Sequence, residues 1–318
     1  MKFQYHLLIN PTAGGGNGQA VGEKVIALLQ KGRFSFTSYW SEYPQHEAKI
    51  ITDLLPMLKS WTEESHDETY PLLLVVGGDG TLHQVVNQIQ LANQDIPVAY
   101  IPAGSGNDFA RGIQLPKETE QIFWQIVKQK EPKRIHLLQY EEKIREQQGI
   151  ALNNLGIGLD AAIVQQTNQS LTKKRFNKFK LNSFSYIASI FKSLFTQKGF
   201  PILVESNGQT FSYKKAFLCT TTNHPYFGGG IKIAPMADIT KPTFDFVLVE
   251  RIAYRKIAWL IYLLIRQKHP KSKHFHHLST AKLRIVSTTP QPMHVDGESL
   301  DNEAYDLSLS LGSQLFWL

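Results

Sequence analysis

The sequence predicts an α/β protein in two parts: an amino-terminal three-layer α/β domain over residues 1–133 and a mostly antiparallel β domain over residues 134–304. Three observations carry this. Up to residue 133, short β-rich runs alternate with segments of helical period, the pattern of parallel strands joined by crossover helices. After Pro132, strand-like runs succeed one another with turns between them. The net charge changes at the same point: residues 1–133 carry 11 basic and 14 acidic residues, net −3, and residues 134–318 carry 23 and 13, net +10. A length of 318 residues also suits two domains at about 150 residues each.

In the first part, Tyr5–Ile9 reads as a strand and Asn10-Pro-Thr-Ala-Gly-Gly-Gly-Asn-Gly18 as a glycine-rich turn. Val21, Val25, Leu28 and Leu29 then recur at i, i+4, i+7 and i+8, one face of a helix. Phe34–Tyr39 is a second strand, and residues 46–55 a second helix that Pro56 ends or kinks. Leu72–Val76 is five apolar residues in a row, as in a strand buried on both faces. Leu82, Val85, Val86 and Ile89 give a third helix, Val98–Ile101 a fourth strand and Glu118–Lys130 a further helix. In the second part the strand-like runs are Ile150–Asn154, Ile202–Glu205, Phe211–Thr222, Phe244–Glu250, Lys282–Val286 and Leu307–Leu311. Helical inserts are expected around 181–197 and 252–268.

Composition narrows the class. At 42% hydrophobic and 19% charged, the chain can bury a core and is not a disordered tail. A single cysteine, Cys219, excludes an internal disulfide and suits a reducing, cytoplasmic compartment. The amino terminus lacks the pattern of a signal peptide, and the longest apolar run, Ile257–Ile265, is far short of the about 20 residues of a membrane span. Seven basic residues and no acid lie between Asp160 and Glu205, and nine basic residues and no acid between Glu250 and Asp296. Such stretches are either solvated faces or surfaces for a polyanion, nucleic acid or anionic lipid.

The most informative segment is Val75-Val-Gly-Gly-Asp-Gly-Thr-Leu82, a buried strand running through Gly77, Gly78, Asp79, Gly80 and Thr81 into a helix. Glycines let backbone amides approach phosphate oxygens, and a helix amino terminus favours an anion. The segment is neither a Walker A loop nor a dinucleotide fingerprint. An aspartate among the glycines would repel a bare phosphate, so it faces a metal-bound phosphate or a hydroxyl. By itself Gly-Gly-Asp-Gly-Thr is also compatible with a plain tight turn. Two further glycine loops, Asn10–Gly16 and Pro102–Asp108, follow strands one and four. Ligands of open α/β sheets bind at the carboxyl ends of the strands, so three such loops there indicate a nucleotide phosphate site.

Asn10-Pro11 with its glycines, Gly77–Thr81 and Pro102-Ala-Gly-Ser-Gly-Asn-Asp-Phe-Ala-Arg111 resemble the catalytic domain of the diacylglycerol kinase and sphingosine kinase superfamily, above all its small bacterial lipid kinases. The resemblance continues through Asn154-Leu-Gly-Ile-Gly-Leu-Asp160, Ala237-Asp-Ile-Thr240 and Val295-Asp-Gly-Glu298, in order and over nearly the whole chain. It implies a first domain like those of phosphofructokinases and NAD kinases, a β-sandwich second domain that helps to hold a lipid, and a last strand returning to the first domain, here over 305–318. It implies ATP with Mg2+, the nucleotide lined by Asn10, Thr12, Gly14, Gly15, Gly16, Ser41, Gly77, Gly78, Asp79, Gly80, Thr81, Ser105 and Asn107. It also implies a catalytic pair, Glu298 as the base that accepts the lipid hydroxyl's proton and Asp79 orienting it or engaging the magnesium on the nucleotide. Asp296-Gly297 reads independently as a hairpin turn, beside which a glutamate is ordinarily solvated.

The sequence departs from the family at His83-Gln84, where Asn-Glu is common, and at Lys241-Pro242, where Asp-Gly is usual and its aspartate holds a structural magnesium in some members. The lysine's ammonium could replace that cation, so the structural metal is expected to be absent. Lys173, Lys174, Arg175, Lys178 and Lys180 alternate with Phe176 and Phe179 ahead of apolar residues up to Phe195, a composition suited to docking on an anionic bilayer or to an ordinary core. No nucleic-acid fold signature accompanies the basic stretches. His269, His274, His276 and His277 lack the carboxylate or cysteine spacing of a metal site. The expectation is therefore an ATP- and magnesium-dependent lipid kinase at the inner face of the membrane, peripheral to it, with diacylglycerol the leading acceptor. An NAD-kinase-like enzyme and a catalytically silent nucleotide or lipid sensor remain as alternatives, and an edge strand could support a homodimer.

Overall fold

A computed structural model describes residues 2–62, 69–174, 193–227 and 230–318, with the side chains of 167–174 and of 301 outside the description. The chain forms two compact units. The first comprises Met1–Leu137, Gly228–Gly230 and Gly312–Leu318, and the second Leu138–Phe227 and Ile231–Leu311.

The first unit contains β1 (Lys2–Ile9), α1 (Ala13–Lys31), β2 (Ser35–Trp40), α2 (His46–Leu54), β3 (Thr69–Gly77), α3 (Asp79–Leu91), β4 (Val98–Pro102), α4 (Asp108–Gly112) and α5 (Thr119–Lys128). Its strands are parallel in the order β2-β1-β3-β4, and Phe316 at the chain's end adds in parallel beside Val98. Tyr70 to Gly77 are all buried, as a strand covered on both faces requires. Alternate residues set the faces. Tyr5, Leu7, Ile9, Leu72, Leu74 and Val76 share a core with α1 and α5, and Leu73 and Val75 point the opposite way. Pro56 stands in a short 3-10 turn, Leu55–Met57, that ends α2. The last residues are built in: Trp317 is fully buried, its indole N–H donates to the Ile126 carbonyl at 3.0 Å, and Gln314 Nε2 donates to that of Ile96 at 2.7 Å.

The second unit holds β5 (Lys133–Glu142, begun in the first), β6 (Gln147–Ala151), β7 (Asn154–Gly158), α6 (Leu159–Lys174), β8 (Phe200–Ser206), β9 (Gln209–Thr222), β10 (Tyr226–Phe227), β11 (Ile231–Lys232), β12 (Phe244–Glu250), α7 (Tyr254–Ile265), β13 (Phe275–Thr280), β14 (Lys282–Val295) and most of β15 (Glu298–Phe316). Its pairings are antiparallel. β14 pairs β8 through Arg284–Val286 and β7 through Met293–Val295. One core gathers Leu155, Ile157, Cys219, Phe244, Ile285 and Tyr305 among others, and a second gathers Phe217, Val247, Val249, Ile257 and Phe275.

Several expectations change. Residues 150–154 are not one strand: β6 ends at Ala151 and β7 begins at Asn154, because the Leu152, Asn153 and Asn154 amides turn to the Asp296 carboxylate. β14 does not stop at Val286. It continues through Pro290 and Pro292 by shifts of register against β15, where a missing N–H is tolerated. β5, β13 and α6 were not foreseen: α6 opens on Leu159 and Ala161–Val164 and then runs into polar residues, so no sustained helical period marks it. The unit boundaries fall at Leu137 and Gly312, inside β5 and β15, where continuous strands leave no mark in composition. Of the insert expected at 181–197, residues 181–192 lie outside the described residues, as does most of the basic aromatic stretch before it.

Candidate active site

β1 lies in the middle of the first unit's sheet, with β2 on one side and β3 on the other. The chain therefore leaves β1 and β3 in opposite directions, and a crevice opens at the carboxyl ends of these two strands, the switch point where open α/β sheets take ligands. The loops after β1, β3 and β4 meet there. Gly14, Gly15 and Gly16 take φ of 60°, 73° and 105°, a left-handed run that glycine alone adopts cheaply. A Cβ on Gly14 would stand 2.4 Å from the Ala103 carbonyl oxygen, whereas Gly15, Gly16 and Gly80 face open space. A Cβ on Gly104 would meet the Gly78 Cα at 2.7 Å, so the β3 and β4 loops touch through glycine.

Asn10 is the strut between the first two loops. Its Oδ1 accepts the Thr12 amide at 3.0 Å and the Thr12 hydroxyl at 2.9 Å, and its Nδ2 donates to Thr81 Oγ1 at 2.9 Å. Thr81 is buried and Thr12 exposed. Ser41 is buried, its amide donating to the Ile9 carbonyl at 2.9 Å. In the β4 loop, Asn107 folds back with φ 53°: its Oδ1 accepts the Gly104 amide and its Nδ2 donates to the Gly104 carbonyl, both at 2.9 Å. Ser105 at the tip is exposed. Asn107 and Asn10 thus shape the loops with their side chains, and the glycines keep the backbone open.

Asp79 begins α3, yet its carboxylate serves α4: Oδ2 accepts the Asp108 amide at 3.0 Å and Oδ1 the Phe109 amide at 3.2 Å. These first-turn amides fix its direction, and the α4 dipole favours its charge. Asp108, given no role by the sequence, accepts from Arg111 at 2.8 Å and from the Gly230 amide at 3.0 Å. Buried Tyr100 donates to the Gly77 carbonyl at 3.2 Å, and burial, then the Asp79 charge, holds its hydroxyl well above the ordinary value. His83 is buried in α3.

Glu298 belongs to the second unit and is exposed, one residue past a two-residue turn. Asp296 and Gly297 both have positive φ, 49° and 85°, which matches the twist of a tight hairpin. The turn is anchored twice. Asp296 accepts the amides of Leu152 at 2.7 Å, Asn153 at 2.8 Å and Asn154 at 3.0 Å. In the neutral imidazole the Gly297 amide donates to His294 Nδ1 at 3.2 Å and the proton sits on Nε2, 3.0 Å from Asp160 Oδ2. Thr220 also donates to that oxygen. Burial alone would lower the His294 pKa, but the Asp160 carboxylate prevails and holds it above the ordinary value. His294 was missed in the sequence, where only its place two residues before Asp296 hinted at the turn.

No group of three His, Cys, Asp or Glu residues able to hold a metal occurs among the described residues. His269 binds the Ile233 carbonyl, His277 binds Asp245, and His276 lies 3.8 Å from Glu250. Asp238 accepts the Thr240 amide and hydroxyl at 3.0 and 2.6 Å, and Lys241 Nζ stands 3.8 Å from its other oxygen. Those Thr240 bonds, with a smaller contribution from Lys241, lower the Asp238 pKa.

This combination, a parallel sheet with glycine loops at its switch point followed by an antiparallel β unit, defines a kinase fold of the diacylglycerol and NAD kinase kind. The diacylglycerol kinase catalytic domain model matches residues 4–140, and the YegS C-terminal NAD kinase beta sandwich-like domain model residues 153–309. The chain is 29% identical to YtlR of Bacillus subtilis (strain 168), covering 96% of each. It is 24% identical to the diacylglycerol kinase of Staphylococcus saprophyticus, over 94% of this chain and 90% of the relative. A crystal structure of a diacylglycerol kinase from Bacillus anthracis str. Sterne superposes with a TM-score of 0.67 at 18% identity, covering 98% of this chain and 96% of that one. The chain belongs to the diacylglycerol-kinase-like lipid kinases, and it is an enzyme of that class.

Proposed function

We propose that the protein transfers the γ-phosphate of ATP to the hydroxyl of a lipid, with diacylglycerol as the acceptor and phosphatidic acid as the product. The observation that carries this reading is the left-handed run Gly14–Gly16 beside Gly77–Gly80 at the switch point, where backbone can approach phosphate without side chains between. The hydroxyl oxygen forms a bond to the γ-phosphorus, the bond from that phosphorus to the β,γ-bridging oxygen breaks, and ADP leaves. The hydroxyl proton passes to the Glu298 carboxylate, a role the exposed side chain on its anchored turn supports.

Magnesium on the triphosphate supplies charge neutralisation. The described residues offer carboxylate oxygen at Asp79 but no multi-carboxylate cage, which fits an ion carried on the nucleotide. Asp79, aimed by two α4 amides, is the side chain that would face it. A lipid acceptor puts the reaction at a membrane, and we place the protein peripherally at its inner face. No helix among the described residues is long and apolar enough to span one.

The test is transfer of labelled γ-phosphate to a panel of lipids in mixed micelles, with NAD alongside. Label is expected on diacylglycerol and is expected to fall about 100-fold or more in Glu298→Ala, the range for loss of a general base. Label on NAD would overturn the acceptor. ATP binding with no label on any acceptor would favour a silent sensor.

A further inference from the structure

Among the described residues of the second unit, helix α7 carries the largest group of exposed large apolar side chains. Only Ile257 of its 12 residues is buried, with Leu260 and Leu264 packed partly on the core below. Tyr254, Ile261 and Ile265 recur at i, i+7 and i+11, so they share one stripe, and the stripe faces solvent. Trp259 and Tyr262 widen it, their rings stacked 5.1 Å apart. Trp259 is 59% and Ile265 75% exposed. Phe195, 62% exposed, extends the patch, its ring 5.0 Å from that of Tyr254.

The surroundings say what covers it. Arg255, Lys256, Arg266, Lys268, Lys271 and Lys273 are all exposed, and the sequence holds no acid from 251 to 295. Burial, then the charges of Lys256 and Lys273, lowers the His274 pKa, so cations from the helix and from the segment after it reach one point. Glu250, the last acid before this stretch in the sequence, stands 3.8 Å from His276. A second copy meeting this face symmetrically would set these cations against their own likes. An anionic bilayer instead offers hydrocarbon for the stripe, headgroups for the cations and an interface for Trp and Tyr. At 12 residues, about 18 Å, the helix can lie in the interface but not span.

We propose that α7 is a membrane-docking helix that lies on an anionic bilayer, its Tyr254–Ile265 stripe among the acyl chains and its flanking lysines and arginines on the headgroups. The inference deepens the lipid-kinase reading by giving the acceptor's membrane a point of attachment, yet it stands on surface features separate from the glycine loops.

The test is co-sedimentation of the full chain with vesicles of phosphatidylglycerol and phosphatidylcholine, and with phosphatidylcholine alone. The wild type and the variant Trp259→Ser, Ile261→Ser, Ile265→Ser are compared. Wild-type protein is expected to bind the anionic vesicles, to release in about 0.5 M salt as screening shortens the reach of the cations, and to bind phosphatidylcholine weakly. The triple variant is expected to bind about tenfold less or weaker still. Its thermal midpoint, sedimentation coefficient and activity on a water-soluble short-chain diacylglycerol stay as in the wild type. Unchanged binding in the variant overturns the proposal, as does a wild-type dimer that the variant dissolves. Docking through α7 without phosphate transfer to any lipid would retain this inference and reject the lipid-kinase reading. Transfer with variant-insensitive docking would do the reverse.

Discussion

The glycine loops of the first unit and the Val295–Glu298 turn of the second reach functional geometry by opposite means. Around Asn10–Gly16 and Gly77–Gly80 the working material is backbone, and the requirement is the absence of side chains. At the turn the working material is one exposed carboxylate, and neighbouring side chains do the fixing: half-buried Asp296 on three amides, buried His294 on a fourth, and buried Asp160 behind His294. Under the proposed function, the phosphate site would be disturbed by adding a methyl group, and the proton-transfer site by removing a bond at the neighbouring turn.

The largest effect that would sharpen this contrast is at Asp296. Asp296→Ala strips three amides of their acceptor at about 1–3 kcal/mol each when left unmade, so denaturant unfolding is expected to show a loss of about 3 kcal/mol or more. Phosphate transfer is expected to be lost while ATP binding persists below the unfolding range. Activity kept at wild-type level in the folded variant would mean that the turn does not position Glu298.

A smaller effect separates two neighbouring glycines. Gly15→Ala asks a residue with φ 73° to be left-handed, which costs about 1–2 kcal/mol, and meets nothing within 4 Å. Gly14→Ala carries the same backbone cost and a Cβ 2.4 Å from the Ala103 carbonyl. Thermal unfolding is expected to rank Gly14→Ala clearly below Gly15→Ala. Equal destabilisation would mean that the β1 and β4 loops are not in contact as described.

Much of this was legible beforehand, and the reason differs by region. Leu72–Val76 and the helical period of Val21–Leu29 report directly on burial in a parallel sheet, and glycine loops after such strands fall on the binding edge by topology. The second unit depends on pairings far apart in sequence. Asp160 and His294 lie 134 positions apart yet 3.0 Å from each other, and no local period announces that. The run 150–154 looked like one strand because the acceptor that breaks it, Asp296, is 142 residues beyond Asn154. The strand expected at Lys282–Val286 runs on to Val295, because β14 passes Pro290 and Pro292 with shifted register against β15. Ile257–Ile265 showed its apolarity but not that most of it faces outward.

The smallest predicted effect is in titration. His294 is expected to titrate above 6.5, the ordinary histidine value, held up by Asp160 against its own burial, and buried His6 below it. By linkage, the stability that charged His294 contributes is fully present below its unfolded value and is lost as pH rises through the raised folded one. His6 acts in the other direction, with stability falling as pH drops through its unfolded value. Histidine NMR titration checks both, and His294 found below His6 would mean that the Asp160 pair does not form.

The most direct test of the division of labour is to measure ATP affinity and lipid phosphorylation side by side in Gly14→Ala and Glu298→Gln. The two variants should cross. Gly14→Ala should weaken ATP by about tenfold or more, the scale of about 1.4 kcal/mol, because the backbone cradle is disturbed. Glu298→Gln should leave ATP affinity unchanged and lower kcat by about 100-fold or more, because only the proton acceptor is gone. Wild-type kcat in Glu298→Gln, or wild-type ATP affinity in Gly14→Ala, would contradict the account.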